Sequence, residues 1–574
     1  MATVTDLLID SLAELGVKTV WGVVGDALNP VTDAIRRSDQ IEWIGVRHEE
    51  VGAFAASAQA QLTGTLGVCM GTVGPGGIHL LNGLYDAKKS HAPVLAICGQ
   101  VGSAEIGTDT FQEVNNDVLY ADVSVYSRTI INAEHFPHVL EAAVNAALNQ
   151  RGVSVLTLPG DVGELEVDAK TLKFTPPQPR SVPSPDLLAQ AVKLIDDAKK
   201  VTMLVGIGAR PGRDNVLRLA ERLQAPMVLT LKAKDGFDHD NPYQVGQSGL
   251  IGNPAAQQAF DDCDVLLMLG TDFPYPEWFP EGKTVIQVDD RGAHIGRRTG
   301  VELGLVGDAG DTAAALADAV AKKGRGAKKH LASARDTYES WLEGQASLAK
   351  ADYDRKRLGL LRKHFDNRGG DIRPELVAAE VSRQAGDDAI FTADTGMSTV
   401  WMSRLVHLRA GQRLIGSFNL GSMANAMPQA LGAQALERDR QVIAFCGDGG
   451  LSMLIGDLMT PGPYNLPVKL IVFNNRHLGM VKLEMEQVGL PEYGTELDNP
   501  DLAAVARSMG FHGVRVEDPK DVAAAVAEVL AHDGPALLDA VTNPNEVSLP
   551  PKPTVQQGLG FGTAKIKEVL VSDA

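Results

Sequence analysis

Runs of four to eight apolar, largely β-branched residues recur along the chain, at residues 19–24, 66–70, 94–98, 153–158, 202–207, 265–269, 284–288, 441–446 and 468–473. Between them lie stretches whose apolar positions follow helical spacing. Buried strands alternating with helices mark parallel α/β layers. Many of the runs end in Gly or Asp, and open parallel sheets gather their ligands beyond the carboxyl ends of the strands. The chemistry is therefore expected just after these runs.

Two composition breaks divide the pattern. Residues 174–185, FTPPQPRSVPSP, hold five prolines in twelve positions, and proline fixes φ and removes a ladder donor, so this stretch reads as an extended connector. Residues 322–370 begin KKGRGAKK and continue through charged helical residues; a solvated linker helix is the plainer reading, ahead of a binding patch. The expected organisation is three consecutive α/β domains with mostly parallel sheets, at residues 1–173, 186–321 and 371–550, followed by a tail at 551–574. The first and third domains share a layout, each placing a glycine turn after an apolar strand.

Composition narrows the function. The chain has 574 residues and a formal charge of −19, from 53 Lys and Arg against 72 Asp and Glu, a balance that argues against non-specific nucleic-acid or anionic-membrane binding. The longest apolar runs, such as 201–206 and 265–270, are strand-sized and far short of the roughly 18–20 residues of a spanning helix. The opening MATVTDLLIDSLAELG is acidic and amphipathic, unlike a secretory signal, so a cytoplasmic location is expected. Four cysteines with no CxxC pair supply neither a disulfide framework nor a zinc site, and Cys69, Cys98 and Cys446 sit in apolar runs as small hydrophobes.

The sharpest chemistry lies in the third domain, where VIAFCGDGG leads into LSMLIGDL and then KLIVFNNRHLG. Strand, glycine turn and helix start bring free backbone amides to one spot, which suits a diphosphate. Asp448 stands in that turn and Asn474-Asn475 end the next strand. A carboxylate, an amide oxygen and diphosphate oxygens make the hard oxygen shell that Mg²⁺ requires. GDGG alone is a common turn; with 24 residues between Gly449 and Asn474, the spacing resembles the thiamine diphosphate motif. Such an enzyme also needs a carboxylate at N1′ of the aminopyrimidine. The stretch VRHEEVGAFAASAQAQLTG offers Glu49, with Glu50 as runner-up; acidic residues also favour helix starts for purely structural reasons. The segment at 416–435, GSFNLGSMANAMPQALGAQA, is similar to the support of the thiazolium, with Met423 beneath the bent cofactor or else filling the core.

The stretches WGVVGDALNP, RHEEVGAFAA, GPGGIHLLNGLYDA, FQE at 111–113, GVSVLTLPGDV, DNPYQVG, GLIG, LGTDFPY, GSMANAMPQALGAQ and CGDGG together resemble the thiamine- and flavin-dependent pyruvate oxidases, most of all the bacterial pyruvate:quinone oxidoreductases. The resemblance implies a thiamine diphosphate-binding fold with a pyrimidine-binding, a central FAD-binding and a diphosphate-binding domain. It implies an obligatory dimer, with a tetramer expected, in which Glu49 of one subunit faces Asp448 and Asn475 of another. Thiamine diphosphate contacts carry over to Gly421, Ser422 and Met423, to Asp448, Gly449 and Gly450, and to Asn475, Arg476, His477, Leu478, Gly479, Met480 and Val481. Asp448 and Asn475 should hold Mg²⁺, with the carbonyl of His477 as a third ligand. FAD contacts carry over to Leu250, Ile251, Gly252 and Asn253, to Phe273, Pro274, Tyr275, Pro276 and Glu277, and to Arg291. Phe111, Gln112, Val481 and Glu484 should line the pyruvate pocket, and Met480 takes the place of a residue that moves as the site opens toward the acceptor. Residue spacing supports the flavin less: GIGARPG departs from GxGxxG at Pro211, so a nicotinamide site is not indicated.

The implied reaction is oxidative decarboxylation of pyruvate to acetate and CO₂, electrons passing through FAD to ubiquinone or menaquinone. Rival expectations are a phosphate- and O₂-dependent oxidase making acetyl phosphate and peroxide, an acetohydroxyacid synthase-like carboligase, and a non-catalytic relative. The quinone enzymes carry a longer membrane-seeking tail. Here Phe561, Ile566, Val569 and Leu570 give only a short apolar edge, so contact with the inner face of the cell membrane is expected to be peripheral at most.

Overall fold

The computed structural model describes residues 2–173, 181–353 and 372–546. They build three six-stranded sheets with every pairing parallel, plus a short antiparallel pair, Ala2–Thr3 with Glu166–Val167. The three-domain parallel α/β expectation holds. The tail, most of the charged segment beyond residue 353 and the core of the proline-rich connector lie outside the described residues.

In the first sheet the strands, in chain order, are Thr19–Gly22, Glu42–Gly45, Gly67–Gly71, Val94–Gln100, Ser124–Thr129 and Val153–Pro159; in the third they are Ile390–Ala393, Arg413–Gly416, Val442–Gly447, Lys469–Asn474, His512–Val516 and Ala536–Val541. Both sheets are ordered second, first, third, fourth, sixth, fifth. The central sheet, from Val201–Val205 through Met227–Leu229, Gln244–Gln247, Val265–Leu269 and Thr284–Asp289 to Leu303–Val306, is ordered third, second, first, fourth, fifth, sixth. That is the doubly wound order of dinucleotide-binding sheets.

The first and third domains share one core. The helix Glu49–Thr63 starts with His48 accepting from the Glu50 amide, carries its acidic residues at the positive end of the helix, and stops at Gly64 with φ +73°. Its alanines are buried all round, which lets it touch a sheet on one side and the helix Ala426–Leu436 on the other. The approach is close: a Cβ on Gly432 would lie 2.3 Å from the Ala55 carbonyl oxygen, and one on Gly83 2.5 Å from the Ala53 Cβ. Trp21, Leu84, Met427, Leu431 and Leu470 belong to the same buried cluster. Polar ties cross the seam: Gly45 N–H donates to the Tyr464 hydroxyl, Arg47 N–H to Asp457 Oδ1, and Gln59 Nε2 to the Gly432 carbonyl.

The helix expected within 322–370 spans Arg325–Leu348, but one face of it is not solvated. Ala327, His330, Ala334 and Tyr338, three and four residues apart, are buried against the central domain, and the His330 ring meets the Thr202 hydroxyl at 2.9 Å. All four cysteines are buried thiols. No helix among the described residues is long and apolar enough to cross a membrane.

Candidate active site

At the carboxyl edge of the third sheet, Val442–Gly447 runs straight into the helix Asp448–Met453, and its neighbour Lys469–Asn474 ends just before Asn475. Adjacent parallel strands thus deliver Asp448 and Asn475 side by side. They line a cleft of about 280 Å³ together with Gly421, Met423, Gly449 and Gly450. The expected residues His477, Leu478, Gly479, Met480, Val481 and Glu484 form another wall, most of them on the helix Gly479–Gln487 or its lead-in. Ser422 and Arg476 stand behind the lining. The Ser422 hydroxyl oxygen accepts from Asn82 Nδ2; Arg476, at φ +58°, donates its amide to Asp448 Oδ2 at 2.7 Å.

Asp448 is almost fully buried and accepts from Gly449 N–H, Arg476 N–H and Asn499 Nδ2. Burial nevertheless wins over these bonds and pushes its carboxyl up to about 6. Behind it, Asp394 accepts from the amides of Ala426 and Gly447 and is pushed by burial to about 7. Two buried carboxyls with no cationic partner in contact among the described residues form an environment that a divalent cation would relieve. Asn475 Oδ1 accepts one bond, from His477 N–H at 3.0 Å, and keeps a lone pair for a metal. Backbone pairing on both sides of His477, Leu497 N–H to the Arg476 carbonyl and Leu478 N–H to the Thr495 carbonyl, fixes its peptide. The donor set fits Mg²⁺. Glycine is required in this turn by the protein's own packing: a Cβ on Gly450 would fall 2.3 Å from Asp394 Oδ2 and one on Gly449 2.9 Å from Leu478.

The first sheet holds Glu49 at a different edge. No residue of the first domain lines the cleft. Glu49 is 7% exposed and meets His79 Nδ1 at 2.9 Å, while Glu50 accepts from Asn82 Nδ2. Phe111 projects into solvent at 85% exposure, and Gln112 follows at φ +65°. Within one chain, then, Glu49, Phe111 and Gln112 do not join Val481 and Glu484.

On the central sheet, the expected flavin residues lie on loops that follow three strands. Leu250, Ile251, Gly252 and Asn253 follow Gln244–Gln247, Phe273, Pro274, Tyr275, Pro276 and Glu277 follow Val265–Leu269, and Arg291 follows Thr284–Asp289. Gly249 brings the first two loops together, its Cβ position 3.1 Å from Tyr275. The Asn253 side chain is committed to structure, capping the helix Pro254–Asp262 through Ala255 N–H and Ala256 N–H, and Phe273 is packed edge-on against Tyr275 and Phe279. Arg291 reaches His91 of the first domain at 2.9 Å. The Ser248 hydroxyl is buried at this edge with no hydrogen-bond partner among the described residues. Sheet order, the glycine loops and this unpaired hydroxyl fit a dinucleotide.

The sequence reading missed Asp394, Asn499 and Trp401. Asp394 sits one residue beyond a strand and Trp401 on a helix face, where neither differs from a structural residue; Asn499 lies in a polar loop that only the fold brings under Asp448. The signal available for Asp394 was its place after the apolar run AIFTA.

Sheet order, shared core and cleft define a class. The models of thiamine pyrophosphate enzymes match in chain order: the N-terminal TPP binding domain at residues 2–119, the central domain at 188–316 and the C-terminal TPP binding domain at 394–540. The chain belongs to the thiamine pyrophosphate enzyme family. Among its relatives, YdaP of Bacillus subtilis, described as thiamine pyrophosphate-containing, is 36% identical over 98% of this chain and 96% of its own length. Pyruvate oxidase of Lactiplantibacillus plantarum is 33% identical over 93% and 87%. The acetolactate synthase large subunit of Parasynechococcus marenigrum is 32% identical over 95% and 88%.

Proposed function

We propose that the protein oxidatively decarboxylates pyruvate to acetate and CO₂, with thiamine diphosphate and Mg²⁺ at the third-sheet cleft, FAD on the central sheet and a quinone, ubiquinone or menaquinone, as acceptor. One observation carries the keto-acid reading: Val481 and Glu484, expected to face pyruvate, line the same cleft as Asp448 and Asn475. The match to a pyruvate oxidase over most of both chains supports it.

Thiamine diphosphate supplies the carbon acid and electron sink for decarboxylation, and FAD the two-electron acceptor. Asp448, Asn475 and the His477 carbonyl would hold the metal that neutralises the diphosphate. Met423 and Leu478 pack the cleft, and Met480, Val481 and Trp401 exclude water, which strengthens every charge interaction inside. Glu484 presents a carboxyl to the substrate end. Glu49 holds a proton at the pyrimidine nitrogen. For Glu49, Phe111 and Gln112 to reach the cleft, a second copy must supply them, so the working unit is a homodimer or a tetramer of such dimers. A cytoplasmic enzyme with at most peripheral membrane contact completes the reading.

A second reading, an acetolactate synthase-like carboligase, is favoured by relatives such as the enzyme of Corynebacterium glutamicum, 31% identical over 93% of this chain. Anaerobic pyruvate titration of the holoenzyme separates the two. Bleaching of the flavin, followed by reoxidation with ubiquinone or menaquinone analogues, is expected; a flavin that stays oxidised while acetolactate and CO₂ accumulate favours the carboligase. Phosphate-dependent peroxide formation in air would assign the acceptor to O₂.

A further inference from the structure

Glu49 opens its helix with its carboxylate between two fixed neighbours. Oε2 lies 2.9 Å from His79 Nδ1. Oε1 lies against Gly76, where an added Cβ would come within 3.2 Å of it and within 2.9 Å of the Thr72 methyl. The Thr72 hydroxyl is buried with no hydrogen-bond partner among the described residues. The His79 ring is held flat on His48, centroids 4.4 Å apart and planes 24° from parallel, and His48 Nδ1 accepts the Glu50 amide at 3.3 Å. His48, Glu49 and His79 keep ligand atoms within 4.8 Å of one another, but His48 Nδ1 is engaged by the Glu50 amide and Glu49 Oε2 by His79 Nδ1. An ionised carboxylate only accepts, so His79 carries its proton on Nδ1.

We propose that His79 is the positioning residue of Glu49: its Nδ1–H occupies Oε2, leaving Oε1 as the one oxygen that exchanges a proton with the pyrimidine nitrogen. This rests on the thiamine reading above. His79 keeps its own proton throughout; the transferred one moves between Oε1 and the ring nitrogen. The titratable groups around the pair are His48 and Glu50 on the same segment and Asp457 of the third domain, which faces His48.

Three variants decide it, each read by deuterium exchange at C2 of bound thiamine diphosphate, by kcat and KM for pyruvate between pH 5 and 8, and by cofactor affinity. His79→Phe keeps the ring stack but removes the donor; exchange and kcat are expected to fall by up to about 10²-fold, with KM and cofactor affinity within about twofold. His79→Asn keeps a neutral donor near the Nδ1 position; exchange within about threefold of wild type is expected. In the apo protein, the imidazole Nδ1–H NMR signal that His79→Asn removes should be present in wild type and move in Glu49→Gln, whose neutral amide no longer offers the carboxylate acceptor. Wild-type exchange in His79→Phe, or His79→Asn as slow as His79→Phe, overturns the assignment. Should His79→Phe fail to fold, His79→Asn and the apo Nδ1–H signal still decide. Wild-type exchange in Glu49→Gln would instead sink the role given to Glu49 itself.

Discussion

The first and third sheets run their strands in one order, yet their carboxyl edges hold opposite chemistry. After the third strand, the first sheet continues Gly71-Thr72-Val73-Gly74 where the third sheet continues Gly447-Asp448-Gly449-Gly450. After the fourth, Gln100-Val101 stands where the other has Asn474-Asn475. After the second, the first sheet starts a helix at Glu49, and the third makes the loop of Gly421, Ser422 and Met423 before its helix. Equivalent helices, Glu49–Thr63 and Ala426–Leu436, then pack on each other. The scaffold is repeated and the loops differ; under the proposed function one edge would handle the proton and the other the metal and diphosphate, as expected when function resides in sites carried by a fold.

The comparison breaks most visibly at Glu49. Glu49→Gln is expected to lower kcat by about 10²–10⁴-fold with thiamine diphosphate affinity retained; full turnover would show that the first edge does no proton work. Asp448→Asn should do the reverse, weakening cofactor binding at fixed Mg²⁺ by about 10–100-fold or more, read by calorimetry. Unchanged affinity would place the diphosphate elsewhere. Gly432→Val tests the seam between the repeated domains: its side chain meets the Ala55 carbonyl, and a loss of about 3 kcal/mol is expected in chemical denaturation, with neither edge altered in sequence. Asp394→Asn leaves one of two amides facing an NH₂ group, costing about 1–3 kcal/mol. Its pH dependence has a definite sign. The folded state raises this carboxyl from its ordinary value of 3.8 to about 7, so the stability contributed by its proton is full below about pH 4 and lost as pH rises through 7. The deficit of Asp394→Asn relative to wild type should therefore be larger at pH 5 than at pH 8. The smallest effect is at Phe111→Ala, where melting should stay within about 0.5 kcal/mol while KM for pyruvate rises.

Much of this was legible in the residues. Apolar runs ending in Gly or Asp located the strands and their loaded edges, and the spacing from Gly449 to Asn474 set two neighbouring strand ends together. The shared layout of the first and third domains was visible as a glycine turn after an apolar strand. What stayed hidden depends on distant packing. Asn499 is 51 residues from Asp448 yet donates to it. His79 is 30 residues from Glu49, and its ring matters only because a turn folds back on the helix start. The dinucleotide order of the central sheet could not be read from GIGARPG, since strand order is not a local property, and the buried face of Arg325–Leu348 was masked by its charged neighbours.

The seam between the first and third domains also has a history in time. Gln59 and Gly432, which meet across it, are 373 residues apart in sequence. At a synthesis rate of about 5–20 residues per second, an N-terminal domain folds well before its distant partner leaves the ribosome. For some tens of seconds the alanine face of Glu49–Thr63 stands bare, flat enough for another nascent chain to settle on. The small side chains that let two helices touch so closely in the finished protein thus leave an uncovered apolar face on the unfinished one.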